Sequence, residues 1–194
     1  MRNAFFLILV VFTSVSTAFG QSVMVVGGQG SAKQCFDNAT NAVLWKIASI
    51  QDTSDCTYAL DNVSLNLRDR TATFINRGVI YSASEEYDLA ISDYERALSM
   101  MADVGVAYLN KGNIMFMVRE FDDAIEQYNL ALQHEKNKLH VVYLNRGMAY
   151  ENSGKADLAY SDYTEALKII PEWHEATKRM DRLLLRYPNL NRAG

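Results

Sequence analysis

Three asparagines, Asn76, Asn110 and Asn145, stand 34 and 35 residues apart in a chain of 194. A carboxamide holds a donor and an acceptor side by side. Each of the three can therefore bond a polypeptide backbone without reading its side chains, or bond within its own scaffold. The two cysteines, Cys35 and Cys56, lie 21 residues apart. In an oxidising compartment an even count reads most simply as one disulfide, and closing a loop of that size stabilises by about 3 kcal/mol. A zinc site is disfavoured, because four ligands are needed and neither a CxxC pair nor a nearby histidine is present.

Other reactive residue types form no set. His134, His140 and His174 have no pair at the helical spacing of a metal site and read as exposed loop residues. The stretch "VVGGQGSAK", Val25 to Lys33, lacks the Gly-Lys-Ser/Thr ending of a phosphate loop and the spaced glycines of a dinucleotide fold. No Ser, His and Asp residues group into a catalytic set, and the acidic side chains read as solubilising charge on helix faces. Asn38 and Asn62 begin formal glycosylation sequons inside predicted helices and read as chance. The sequence thus offers no catalytic residue, no metal site and no cofactor site.

Net charge is −4 with both signs scattered, which lacks the basic footprint of a nucleic-acid binder. Apolar residues make up 49%, enough to bury a core. Residues 1–20 read as a signal peptide: Arg2 is the positive end, "AFFLILVVF" is too short to span a bilayer comfortably, and small residues run up to Gly20. The expectation is an exported, periplasmic protein whose mature chain does not insert into a membrane.

The residues that could bind must be positioned by elements that recur. Gly78, Gly112 and Gly147 keep the interval of the asparagines, and so do Ala90, Ala124 and Ala159, then Tyr94, Tyr128 and Tyr163, then Ala97, Ala131 and Ala166. Each unit splits into two amphipathic segments at helical spacing, which predicts a helical hairpin. Glycine and alanine would allow close helix approach, with the tyrosines filling the space between units.

This pattern resembles the tetratricopeptide repeat, in the variant that carries Asn-Arg-Gly in its first helix. The resemblance implies an all-α, right-handed solenoid of antiparallel hairpins. Three units are expected at 71–104, 105–138 and 140–173, with a cap helix at 174–187 and a tail at 188–194. Upstream, 21–34 reads as a flexible lead and 35–69 as a degenerate first hairpin braced by the disulfide. Two departures are local: Glu85 and Arg119 stand where the usual loop glycine belongs, so those copies are expected to connect differently. The layout also resembles exported tetratricopeptide proteins of Gram-negative bacteria.

In this family the first helices line a concave groove. Carried over residue by residue, the groove here includes Ile75 and Val79, then Leu109, Asn113, Phe116 and Met117, then Leu144 and Met148, and the recurring Asn76, Asn110 and Asn145 join it as residues able to bond a peptide backbone. Some members hold a terminal carboxylate with lysines, asparagines and an arginine. Asn113, Asn145 and Arg179 occupy three of those places, but Leu109 and Glu175 replace the lysines, which removes most of the anion attraction. The resemblance therefore implies a non-catalytic module that binds a protein or peptide segment by apolar contacts and asparagine bonds. The alternative is a self-associating scaffold of the cell envelope.

Overall fold

The computed structural model describes residues 23–24 and 30–190. The expected signal peptide, residues 25–29 of the glycine-rich stretch and the end of the tail lie outside the described residues. Among the described residues all regular elements are helical: α1 (Ser31–Trp45), a short 3-10 turn (Ile50–Thr53), α2 (Ser54–Asn62), α3 (Leu67–Ala83), α4 (Tyr87–Met100), α5 (Gly105–Met117), α6 (Phe121–His134), α7 (Leu139–Asn152), α8 (Ala156–Ile169) and α9 (His174–Arg186). Helices α3/α4, α5/α6 and α7/α8 pair as antiparallel hairpins, and each stacks on the next as a solenoid.

Each hairpin closes at one repeated crossing. A Cβ added at Gly78 would lie 2.5 Å from the Tyr94 ring, one at Gly112 2.7 Å from Tyr128, and one at Gly147 2.7 Å from Tyr163. Only glycine leaves room for these rings, which are fully buried together with all six repeated alanines. The tyrosines thus fill the space between units, as expected, and within their own hairpin too: each ring sits on its own unit's glycine, while Tyr94 shares a core cluster with Ala107 and Ile114 of α5, Tyr128 with Val142 and Ala149 of α7, and Tyr163 with Ala176 and Leu183 of α9. Gly105 was not singled out by the repeat, yet it is buried where a Cβ would meet the backbone of Glu135.

The three turns are alike, contrary to the expectation for Glu85 and Arg119. Glu85 (φ 63°), Arg119 (φ 69°) and Gly154 (φ 72°) all take the left-handed conformation. Glu86 N–H donates to Tyr81 C=O at 2.9 Å, Glu120 to Met115 at 2.8 Å and Lys155 to Tyr150 at 2.9 Å, the six-to-one bond of a Schellman cap. Satisfying the helix-end carbonyls outweighs the steric cost that a non-glycine residue meets there.

A further tie was hidden in the charged residues. Arg77 forks onto Asp93 with bonds of 2.7 and 2.8 Å, and Arg146 onto Asp162 with 2.8 and 2.7 Å. Each arginine also reaches the preceding unit's second helix, Arg77 to Thr57 at 3.0 Å and Arg146 to Asn129 at 2.6 Å. The middle unit has Gln127 in place of the aspartate, and Lys111 keeps only the inter-unit tie, to Glu95 at 2.8 Å. Asp93 and Asp162 are therefore buried clamp residues rather than solubilising charge. Burial pushes the Asp162 carboxyl above its ordinary range even though Arg146 pulls the other way.

The first hairpin is built differently. Its facing surfaces are Ala32, Cys35, Ala39 and Ala42 on α1 and Cys56, Ala59 and Leu60 on α2. Cys35 and Cys56 form a disulfide with their Cα atoms 4.7 Å apart. At the other end, Ala176 and Leu183 of α9 bury against Leu144, Met148 and Tyr163. No described helix is long and apolar enough to cross a membrane.

Candidate functional site

All eleven groove residues lie on the first helices of their hairpins, α3, α5 and α7. They do not form an apolar wall open to solvent. Ile75, Asn76, Val79, Leu109, Asn110, Asn113, Leu144 and Asn145 are fully buried, and Met148 nearly so. Met117 is 42% exposed, and Phe116 is half-buried with its ring edge-on to Phe121 at 5.3 Å. The apolar members double as core: Leu109 joins Ala124, Tyr128 and Val142, while Leu144 and Met148 join Tyr163 and Leu183. Groove position and core position coincide wherever a helix is packed on more than one side.

The asparagines carry the polar chemistry. Asn76 exchanges two hydrogen bonds with a single residue far away in sequence: its Oδ1 accepts the Met24 N–H at 2.8 Å and its Nδ2 donates to the Met24 C=O at 2.8 Å. That is backbone recognition of the kind the repeated carboxamides suggest. Between the second and third units, Asn145 Nδ2 donates to Asn113 Oδ1 at 2.8 Å, and the Tyr128 hydroxyl donates to the same oxygen at 3.0 Å. This leaves Asn113 Nδ2 and Asn145 Oδ1 buried with no partner. Exchanging nitrogen and oxygen in both carboxamides leaves the same inventory, one donor and one acceptor. Sequence reasoning named both asparagines but missed Tyr128 as the third member, because its repeat position marks it as core filling.

The equivalents of Tyr128 show how the site is individual to each unit. Tyr163 donates to Glu151 Oε2 at 2.8 Å, whereas the buried Tyr94 hydroxyl has no partner, since Val79 stands where the second unit has Asn113. Burial, reinforced by Glu151, raises the Tyr163 pKa far above the ordinary tyrosine value. Arg179, the one cation left at the carboxylate-holding places, is engaged by Glu175 at 3.2 Å, so its charge is already countered. The histidines are not simple loop residues: His134 stacks on Tyr108 with centroids 5.5 Å apart and His140 meets Trp173 edge-on at 5.2 Å, while His174 is exposed. Among the described residues no group of His, Cys, Asp and Glu is placed to hold a metal ion.

The tetratricopeptide-repeat family model matches residues 72–103 and 140–172, and the intervening unit repeats the same crossing and the same turn. The chain carries tetratricopeptide repeats. Solved structures with this fold include the first tetratricopeptide domain of Spaghetti (RPAP3) bound to an HSP90 peptide, with TM-score 0.57, 24% identity, and 60% of this chain and 91% of that one covered. MamA from RS-1, as a double mutant, matches with TM-score 0.63 at 13% identity over 86% of this chain and 89% of that one. MamA from AMB-1 matches with TM-score 0.60 at 16% identity over 84% and 85%. These likenesses establish the fold of the tetratricopeptide chain. A search of curated proteins gave no match.

Proposed function

We propose that this protein is a non-catalytic, exported interaction module that holds an extended segment of another polypeptide along the first helices of its repeats. The observation that carries the reading is the unpartnered pair of carboxamide atoms, Asn113 Nδ2 and Asn145 Oδ1, a buried donor and a buried acceptor on two side chains that bond each other. Buried polar groups without partners cost free energy, and a peptide backbone presents the matching N–H and C=O. Asn76, already bonded both ways to Met24, is an example of such a contact within the same chain. Specificity would come from apolar side chains beside Met117 and Phe116 rather than from a terminal carboxylate, since Leu109 and Glu175 replace the cations that a carboxylate needs. Peptide binding by the Spaghetti domain supports a polypeptide as the class of partner. The disulfide and the leader-like residues 1–20 support export to an oxidising compartment such as the periplasm.

A photo-crosslinking amino acid at position 117 tests the reading in intact cells. It is expected to trap a polypeptide that the same probe at Leu185, 83% exposed on α9, does not. Asn113→Leu is expected to reduce the trapping. Equal trapping from both positions, or none from 117, refutes the groove.

A further inference from the structure

The sequence assigns residues 21–34 to a flexible lead, but part of that lead is docked. Ser31 to Gln34 form the first turn of α1, and Met24 is fixed to α3 across 52 residues of sequence. When one residue gives its N–H and its C=O to the same partner, the pattern is the bond exchange of a paired residue in an antiparallel ladder. Here the Asn76 carboxamide takes the place of the second strand. The two side chains divide between different surfaces, as they do along extended backbone. Val23 packs on the cluster of Cys35, Val79 and Ile80, and Met24 on those around Ile75 and Ala72. Asn76 and two members of the clusters packed in this way, Ile75 and Val79, are the first unit's share of the groove.

We propose that the segment around Val23–Met24 is an intramolecular ligand of the groove, and that a partner segment reaches the first repeat only by displacing it. The proposal rests on the reading of the inner face as a peptide-binding surface. It also specifies what fits there: a branched aliphatic residue followed by a long unbranched apolar one, with the backbone extended between them. Two neutral hydrogen bonds and two partly buried apolar side chains hold the resident segment, which are contacts that an incoming backbone can replace like for like.

Met24→Pro is the informative variant, because proline removes the N–H that Asn76 accepts and the position lies outside every helix. The probe is a fluorescein-labelled synthetic peptide of residues 21–29, titrated by anisotropy against the whole purified chain. Binding to Met24→Pro is expected to be roughly tenfold tighter than to the unaltered chain, since occupancy of the site in cis lowers apparent affinity by the unoccupied fraction. Equal affinity for the two chains overturns the proposal. Independently, the Met24 amide is expected to exchange at least about tenfold slower than an unstructured amide, and to lose that protection in Asn76→Leu. Fast exchange in the unaltered chain overturns the proposal, and so does a concentration-dependent dimer that Met24→Pro abolishes, for then another copy supplies the segment. Fast Met24 exchange with trapping at position 117 intact removes the cis ligand alone. Protected Met24 without trapping at 117 removes the groove for outside partners alone.

Discussion

The first hairpin and the three repeats both press two helices together, but they do so with different chemistry. In the repeats a glycine on one helix receives a tyrosine ring from the other, so each crossing buries a large side chain against backbone. In the first hairpin alanines and cysteines face each other, which brings the helices close and buries little area. A covalent bond supplies there what apolar area supplies elsewhere. The end of α1 and the residues just past it also leave Leu44, Trp45 and Ile47 at 66%, 72% and 79% exposure.

The sharpest way to break this contrast is to remove the disulfide. Replacing Cys35 and Cys56 by alanine is expected to cost about 3 kcal/mol in urea unfolding. Hydrogen exchange is expected to accelerate in α1 and α2 while α5 to α8 keep their protection. Uniform acceleration along the chain would show that the brace supports the whole solenoid. Next in size, Gly147→Ala forces a Cβ to 2.7 Å from the Tyr163 ring and 3.2 Å from Asp162 Cβ, and is expected to destabilise by about 2 kcal/mol despite alanine's better helix propensity. No loss would mean that the ring shifts freely.

A graded series then separates the tyrosines by their hydroxyl partners. Tyr163→Phe gives up a bond to Glu151 and is expected to cost about 1.5 kcal/mol, and Tyr128→Phe gives up the bond to Asn113 and is expected to cost about 1 kcal/mol. Tyr94→Phe, which removes a buried hydroxyl with no partner, is expected to be neutral or stabilising. Smaller still, Glu85→Gly and Arg119→Gly are each expected to stabilise by about 0.7 kcal/mol, by relieving left-handed backbone, with Gly154→Ala shifting the melting temperature the other way.

The weakest effect is a pH dependence at His140. Burial, then the nearby Lys138 charge, hold its pKa below the ordinary 6.5. The unfolded chain therefore takes up the proton first. Stability is full above the ordinary histidine value and declines as pH falls from there towards the folded value. Melting temperatures taken at about pH 7 and about pH 5 are expected to converge in His140→Gln, and an unchanged difference would place the titration elsewhere.

Much of this was legible before any coordinates, for a physical reason. Glycine, alanine and tyrosine at fixed offsets can satisfy one another only in a repeated helical hairpin, so their period reveals the fold and the helices that carry Asn76, Asn113 and Asn145. The likeness of the turns at Glu85 and Arg119 was not legible, because left-handed backbone is enforced by the helix-end carbonyls and not by the residue that adopts it. Nor were the clamps at Asp93 and Asp162, since an acidic residue reads the same whether it meets water or an arginine. Sequence alone determined which helices form and in what order they pair, because that information lies in local periodicity. Only the tertiary structure decided that residues expected to line a groove, such as Leu109 and Leu144, are core, and that Met24 lies on Asn76. Both depend on which surfaces meet across dozens of residues, where no period can record the contact.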